Sequence, residues 1–125
     1  MNESGCRRVA IVGSREFSDY SLLREKVLSV ISPEKIECVI SGGARGADAL
    51  AEKFADEFGL NKDIRQADWN RYGRQAGFIR NGVIVDACDV LIAFWMNRSS
   101  GTSDTIKKAR CRHHDVHVFK IGEKQ

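Results

Sequence analysis

The stretch that decides the fold reads CVISGGARGADALAEKFADEFG and covers residues 38–59. It opens with a short apolar run, continues through a glycine-rich turn, and then repeats apolar residues at steps of three and four. The first pattern is typical of a buried strand, and the second is typical of an amphipathic helix that ends at Gly59. The stretch therefore predicts one strand, turn and helix unit of an α/β protein.

The same unit recurs on both sides of this stretch. Upstream, the run VAIVG at residues 9–13 predicts a strand, and a helical repeat over residues 20–31 follows Ser18 and Asp19 and stops before Pro33. Downstream, we predict a weak strand at 63–66, an irregular segment at 67–75, and a helix whose shared face holds Ala76, Ile79, Val83 and Ala87. Further patterns predict a strand at 90–95, a polar turn at 97–101, a helix at 102–112 and a strand at 116–119.

Strands that alternate with helices over short connections predict a parallel sheet with helices on both faces. The chain has 125 residues, which is the size of one domain. We therefore expect a single Rossmann-like, three-layer α/β domain over residues 1–125, with a mostly parallel sheet of about five strands. We expect residues 1–7 and 121–125 to be flexible ends.

The composition excludes several classes of protein. Hydrophobic residues make up 42% and charged residues 30% of the chain, and no apolar run approaches the roughly 20 residues that cross a bilayer. The apolar run that ends at Gly13 is too short for a signal peptide, so we expect a cytoplasmic protein. Four cysteines without a CxxC pair indicate reduced thiols. A net charge of +3 is too small for a protein that tracks a nucleic-acid backbone, so nucleic acid is not the expected partner.

Three turns rich in small residues, at 13–17, 41–46 and 97–102, are expected to meet, because such sheets bind ligands beyond the carboxyl ends of their strands. In the second turn the helix start directs N–H groups at an anion, and Arg45 adds a charged donor. Arg15 and the Ser14 hydroxyl are expected at the same rim. The alternatives are a tight turn without a ligand, and an ion pair of Arg15 with Glu16 or Asp19.

Other side chains are candidates at the same rim. Thr102 either caps its own helix or donates to a ligand, and Asp104 lies in the first turn of that helix. Trp69 either stacks on a base or ribose or pins its loop to the core. Arg80 and Asn81 interrupt an apolar helical face and turn towards the rim. His113 and His117 would share a helix face, but a strand at 116–119 separates them, so we expect no metal site.

These residues together resemble the SLOG superfamily, the Rossmann-like group that includes the LOG phosphoribohydrolases and the DNA-processing protein DprA, and within it the YspA type. The blocks that carry the resemblance are residues 9–17, 41–48, 67–69, 80–81 and 101–105. The resemblance implies a nucleotide or nucleotide-derived ligand held by the turns after strands one, two and four. In LOG enzymes the last block reads PGGxGTxxE, and here Thr105 stands at the glutamate position.

The preferred function is therefore a module that binds a nucleotide or nucleotide-derived molecule to sense, carry or sequester it. The alternatives are a nucleotide N-glycosidase, or phosphoribohydrolase-like hydrolase, and a DprA-like protein that binds single-stranded DNA. We expect phosphate at the turn with Arg45 and Arg15, the sugar or base towards Thr102, Asp104, Trp69 and Arg80, no cofactor, and a homodimer or higher homo-oligomer. Weak catalytic candidates are Asp48, Asp104 and Arg80. The predicted ligand-binding residues are Gly13, Ser14, Arg15, Ser41, Gly42, Gly43, Ala44, Arg45, Gly46, Asp48, Trp69, Arg80, Asn81, Gly101, Thr102 and Asp104.

Overall fold

The structure, a computed structural model, describes residues 6–122. Strands alternate with helices along the chain, and one additional short helix lies between the third strand and the helix that follows it. The strands are β1 (Arg7–Gly13), β2 (Ile36–Ser41), β3 (Asn61–Ile64), β4 (Val90–Met96) and β5 (Asp115–Ile121). The helices are α1 (Tyr20–Val30), α2 (Ala47–Glu57), α3 (Trp69–Tyr72), α4 (Ala76–Ala87) and α5 (Ser100–Cys111), with 3₁₀ turns at Pro33–Lys35 and Gly73–Gln75.

The five strands form one parallel sheet in the order β3-β2-β1-β4-β5. Alternate side chains of β1 point to opposite faces, so Val9 and Ile11 pack with α1 and α2, whereas Ala10 and Val12 pack with α4 and α5. This three-layer arrangement confirms the expected Rossmann-like α/β fold. Strands β2 and β3 lie on one side of β1, and β4 and β5 lie on the other. Because the strand order reverses direction between β1 and β4, a crevice opens beyond the carboxyl ends of these two strands.

Three local predictions differ from the structure. Residues 67–75, predicted to be irregular, contain α3, because the Asp68 carboxylate accepts a hydrogen bond from the Arg71 N–H and caps a helical turn. The weak strand predicted at 63–66 lies earlier, over Asn61–Ile64, where it pairs with β2. The buried face of α4 holds Ala76, Asn81, Ile84 and Val85, whereas Ile79 and Val83 of the predicted face are exposed.

The ends of the chain are described only in part. Residues 1–5 and 123–125, which make up most of the two ends predicted to be flexible, lie outside the described residues. Arg7 and Ile121, which belonged to those predicted ends, lie in β1 and β5. Within residues 6–122, no helix is both long enough and apolar enough to cross a membrane.

Candidate functional site

A cleft of about 510 Å³ opens at the predicted crevice, and we call it the main cleft. All three glycine-containing turns contribute to its wall, and α3 and α4 close its remaining side. Of the predicted residues, the wall includes Gly13, Ser14, Arg15, Ala44, Arg45, Asp48, Trp69, Arg80, Asn81, Gly101 and Thr102. The topology thus brings together residues that are far apart in the sequence.

A smaller side cleft of about 260 Å³ adjoins the main cleft. Gly42, Gly43 and Gln66 line only the side cleft, whereas Arg15 and Arg80 line both clefts. Ser41, Gly46 and Asp104, which were also predicted as ligand-binding residues, line neither cleft.

The first turn is fastened to β4 by the buried side chain of Ser14. Its hydroxyl donates to the Met96 carbonyl at 2.8 Å and accepts from the Met96 N–H at 2.9 Å. The Ser14 carbonyl in turn accepts hydrogen bonds from the N–H groups of Phe17 and Ala47. The Ser14 hydroxyl was expected to face a ligand, but it holds the ends of two strands together.

The second turn folds around a buried carboxylate. Asp48 is only 6% exposed, and its carboxylate accepts hydrogen bonds from the N–H groups of Gly42 and Ala44. Burial raises the pKa of Asp48, although these hydrogen bonds and the nearby Arg80 charge lower it. The Ser41 hydroxyl donates to Glu52 and accepts from the Gly43 N–H, so it serves the turn itself.

Part of the backbone of this turn is occupied by acceptors within the protein. The N–H groups of Gly42, Gly43, Ala44 and Ala47 all bond to acceptors within the protein. The sequence predicted free N–H groups at the start of the following helix, and of these four positions only Ala47 lies in α2, where its N–H bonds to the Ser14 carbonyl.

Two of the predicted arginines remain available at the main cleft. Arg15 and Arg45 are exposed, and neither forms an ion pair within residues 6–122. The alternative of an Arg15 ion pair is not what the structure shows. Glu16 accepts a hydrogen bond from Asn97 instead, and Asp19 caps α1.

Arg80 reaches across from α4 to the second turn. Its Nη1 donates to the Gly42 carbonyl at 2.6 Å, and its Nε donates to the Asn81 side chain at 3.2 Å. Burial lowers the pKa of Arg80, the neighbouring Asp48 raises it, and Arg15 lowers it again. Arg80 therefore holds the second turn against α4 while its guanidinium faces both clefts.

The third turn opens the start of α5 towards the main cleft. Asn97 and Arg98 adopt φ values of 56° and 53°, and the Ser99 N–H closes the turn by bonding to the Met96 carbonyl. The Ser99 hydroxyl then caps α5 by accepting from the N–H and hydroxyl of Thr102. Ser99, not Thr102, is therefore the capping residue, and the helix begins at Ser100, two residues earlier than predicted.

The first residues of α5 place backbone N–H groups in the wall of this cleft. In the part of the chain that the structure describes, the N–H groups of Ser100 and Gly101 have no hydrogen-bond partner. The exposed N–H groups and the dipole of a helix start attract anions. Asn81 supports this end of α5, because its amide donates to the Gly101 carbonyl and to Asp104.

Asp104 lines neither cleft, and it forms an ion pair with Lys108. The Lys108 ammonium is 2.7 Å from the Asp104 carboxylate, one helical turn along α5. This placement does not support the predicted catalytic and ligand-binding roles of Asp104.

Sequence reasoning missed several residues of the main cleft. Arg74 fell in the segment predicted to be irregular, and Phe78 lay off the helical face that was predicted for α4. Asn97, Ser99 and Ser100 lay in a turn predicted to reach the rim, although their side chains were not singled out. The cleft wall therefore carries four arginines, Arg15, Arg45, Arg74 and Arg80, against the two carboxylates of Glu16 and Asp48.

The histidines do not meet. Helix α5 ends at Cys111, and His117 lies in β5, where its Nε2 is 3.0 Å from Asp115. Over residues 6–122, no group of three or more His, Cys, Asp or Glu side chains is arranged to hold a metal ion.

Comparison with known proteins places this chain in a family. The Gene 61 protein of Mycobacterium phage D29 is 34% identical to this chain, over 94% of this chain and 98% of its own length. The X-ray structure of DNA processing protein A (DprA) from Streptococcus pneumoniae superposes with a TM-score of 0.71 at 22% identity, and it covers 95% of this chain. The chain spans about half of that structure, 51% of its length, so the match concerns the fold.

The family match covers the first two turns of the site. A model of the family described as YspA, cpYpsA-related SLOG matches residues 7–72, which run from β1 through α3. That range covers more than half of the chain, and the phage relative extends the likeness over nearly all of it. The chain therefore belongs to the YspA, cpYpsA-related SLOG family.

Proposed function

We propose that this protein binds a nucleotide or a nucleotide-derived small molecule in the main cleft, and so senses, carries or sequesters it. One observation carries the proposal. Arg15 and Arg45 lack carboxylate partners within residues 6–122 and share a cleft with the open N–H groups at the start of α5. Guanidinium groups and the free N–H groups at a helix start are donors that suit phosphate oxygens.

The distribution of groups along the cleft suits the rest of a nucleotide. Trp69 is 51% exposed and Phe78 is 44% exposed, and both line the main cleft. Large aromatic faces that remain exposed in a cleft can stack on a base. In this proposal phosphate lies between Arg15, Arg45 and the start of α5, and the base lies towards Trp69 and Phe78. The membership of the SLOG family supports a nucleotide-related role.

The first experiment identifies the ligand without guessing it. Small molecules released by heat denaturation of the purified protein are analysed by mass spectrometry, and the same protein is titrated calorimetrically with nucleoside monophosphates and NAD-derived compounds. We expect a phosphorylated nucleoside to be released or to bind. If none is released and none binds, the proposal fails.

A second candidate function is cleavage of an N-glycosidic bond, and the position of Asp48 favours it. Its carboxylate lines the main cleft, and burial raises the pKa of Asp48. In such a reaction water attacks the anomeric carbon, the bond to the base breaks, and the base leaves with the proton that the water gives up, while a nearby carboxylate stabilises the positive charge that develops on the sugar. Thr105, at the position of the LOG glutamate, lines the cleft but cannot supply a charge, and its hydroxyl donates to the Gly101 carbonyl.

Chromatography of nucleotide incubations separates binding from catalysis. Free base released by the wild type and lost in Asp48→Asn would support the hydrolase. Binding without any release of base across the panel would eliminate it.

Labelled single-stranded DNA is included as a third ligand, and a steeply salt-dependent shift would favour a nucleic-acid partner over a small molecule. We expect no such shift, because the net charge is only +3.

A further inference from the structure

The side cleft is a second binding space that the proposed function leaves unused. It has a volume of about 260 Å³. It shares Arg15, Ala44, Trp69 and Arg80 with the main cleft, so the two clefts meet along these four residues. A ligand that fills the main cleft can therefore continue into the side cleft.

The boundary between the two clefts carries positive charge. Within residues 6–122, neither Arg15 nor Arg80 forms an ion pair. Burial lowers the pKa of Arg80, the nearby Asp48 raises it, and the positive charge of Arg15 lowers it again, so the two guanidinium groups repel each other. An anion that lies between two such cations relieves the repulsion.

Arg80 keeps a hydrogen-bond donor for such an anion. Its Nη1 donates to the Gly42 carbonyl and its Nε donates to the Asn81 side chain, which together hold the guanidinium in place. Its Nη2 has no partner in the part of the chain that the structure describes. A guanidinium that is fixed in this way and still has free N–H groups is suited to a phosphate oxygen.

The side cleft beyond this boundary offers groups that suit a sugar. Gln66 is exposed in it, and within residues 6–122 its side-chain amide has no hydrogen-bond partner. A Cβ atom at Gly43 would lie 2.8 Å from the Gln66 Cγ, so the stem of Gln66 packs directly against the second turn. An amide both donates and accepts hydrogen bonds, as sugar hydroxyls require, and the exposed Trp69 ring adds an apolar face.

The volumes of the two clefts indicate what each can hold. The main cleft, at about 510 Å³, is about twice as large as the side cleft. A nucleoside consists of a base and a sugar, so a cleft of half the size suits a single ring. Apart from Arg15 and Arg80 at the boundary, none of the described residues that line the side cleft is charged, and the group that enters it is therefore expected to be neutral.

We propose that the ligand is a nucleoside diphosphate whose terminal phosphate carries a sugar, and that this sugar lies in the side cleft beside Gln66. The inference rests on the proposed function, which places the first phosphate with Arg15, Arg45 and the start of α5. The second phosphate lies between Arg15 and Arg80, so Arg15 contacts both phosphates. The base remains in the main cleft.

Calorimetry with matched ligands tests the second phosphate. The wild type is titrated with three series, which are AMP, ADP and ADP-glucose; GMP, GDP and GDP-mannose; and UMP, UDP and UDP-glucose. In the series whose monophosphate binds most tightly, the diphosphate should bind about tenfold more tightly or better, the effect of a hydrogen bond to a charged group. The sugar ester should bind at least as tightly as the diphosphate, although its negative charge is smaller.

Two variants of the side cleft test the sugar. Gln66→Ala removes the amide and Ala67→Leu fills part of the space, and both residues line the side cleft but not the main cleft. Each variant should weaken binding of the sugar ester, relative to the diphosphate, by about fivefold, the effect of one neutral hydrogen bond. Gln75→Ala and Ala49→Leu are the matched controls, because Gln75 and Ala49 are exposed and line neither cleft, and they should keep the wild-type ratio.

The outcomes separate this inference from the proposed function. If no nucleotide of any series binds, both fail. If the monophosphate binds but the diphosphate binds no more tightly, or the sugar ester binds more weakly than the diphosphate, only the role of the side cleft fails. It also fails if Gln66→Ala and Ala67→Leu keep the wild-type ratio. Circular dichroism establishes that each variant is folded, and Gln66→Ala decides the matter if Ala67→Leu is not.

Discussion

Single residues at the main cleft divide into those that build it and those that remain available to a ligand. Ser14 and Ser41 direct their hydroxyls to partners within the protein, and Arg80 bonds to the second turn. Arg15 and Arg45 have no ion-pair partner in the described part of the chain. Binding energy is therefore expected from these two arginines more than from the glycines between them.

Arg45→Ala should weaken nucleotide binding by about 1.5–3 kcal/mol, the contribution of a hydrogen bond to a charged group. That loss corresponds to a dissociation constant roughly ten to 150 times larger in calorimetry. Arg110→Ala is the matched control, because Arg110 is exposed near the end of α5 and lines neither cleft. An unchanged dissociation constant for Arg45→Ala would remove Arg45 from the site.

Asp48 should make stability depend on pH in the direction opposite to that of a paired surface carboxylate. Burial raises the pKa of Asp48 in the folded state, so the folded protein holds this proton at a pH where the unfolded chain has lost it. The contribution of Asp48 is therefore largest below the ordinary pKa of the carboxyl and is lost as the pH rises through the raised value. Urea unfolding of the wild type and Asp48→Asn at several pH values measures it.

The difference in unfolding free energy, wild type minus Asp48→Asn, should grow in favour of the wild type as the pH falls from neutral towards 4. Subtracting the variant also removes the contributions of other carboxyls, such as Asp63 and Glu57, whose pKa values are lowered by hydrogen bonds from Arg65 and Tyr20. A difference that stays constant with pH would show that Asp48 titrates alike in both states.

Sequence reasoning located the site residues better than it assigned their roles. The rule that ligands bind beyond the carboxyl ends of parallel strands placed Gly13, Arg15, Arg45 and Gly101 in one cleft wall. It could not show that the Ser14 hydroxyl bonds to Met96, which lies 82 residues away. It also could not show that Asp104 pairs with Lys108 and lines neither cleft. Hydroxyls and carboxylates accept many partners, and only the folded backbone selects among them.

Among the elements, the turn between β2 and α2 depends on a glycine that no other residue can replace. Gly46 has a φ of 76° with a ψ of −130°, and a Cβ atom there would lie 2.4 Å from the Arg15 carbonyl oxygen. Side chains are excluded by this conformation and by the contact. The close approach lets the Ser14 carbonyl accept from Ala47 at the start of α2.

Gly46→Ala should lower the free energy of unfolding by more than about 3 kcal/mol, the upper end of the cost of a strained backbone residue. Gly59→Ala is the control, because Gly59 has a φ of 65° but nothing lies within 4 Å of the added Cβ atom. It should cost only about 1–2 kcal/mol. Equal losses in urea unfolding would mean that the contact with Arg15 adds nothing to the strain.

The elements that the sequence predicted least well are α3 and α4. The segment that holds α3 was predicted to be irregular. The apolar residues of α4 were assigned to one shared face, but Ile79 and Val83 are exposed and the polar Asn81 is buried. Asn81 is buried because Gly101, Asp104 and Arg80 all bond to its side chain. Periodicity alone cannot distinguish an apolar face that enters the core from one that remains exposed.

For the whole molecule, the alternation of strands and helices was enough to predict a parallel three-layer domain. The sequence did not reveal the ionic network that joins the sheet near the start of β1. Arg8 forms ion pairs with Glu37 of β2 and Asp63 of β3, and its Nε donates to the Ala87 carbonyl at the end of α4. One side chain thus links four elements of the fold.

Arg8→Ala should destabilise the protein by about 1.5–3 kcal/mol, because it leaves Asp63 and the Ala87 carbonyl without this partner. Arg7→Ala is the neighbouring control, since Arg7 makes only a half-exposed contact of 3.8 Å with Asp115. It should change stability by less than about 0.5 kcal/mol. Similar losses for both variants in thermal unfolding would contradict the role of the network.

The two tryptophans occupy different surroundings, and this gives the protein an intrinsic optical signal. Trp95 donates from Nε1 to the Ser99 carbonyl at 3.0 Å and is partly buried, whereas the Trp69 ring is exposed at the edge of both clefts. Emission from Trp69 should shift to shorter wavelength or be quenched when a solute covers its ring, while Trp95 gives a constant background. Titration of a Trp95→Phe variant would therefore report cleft occupancy without a label.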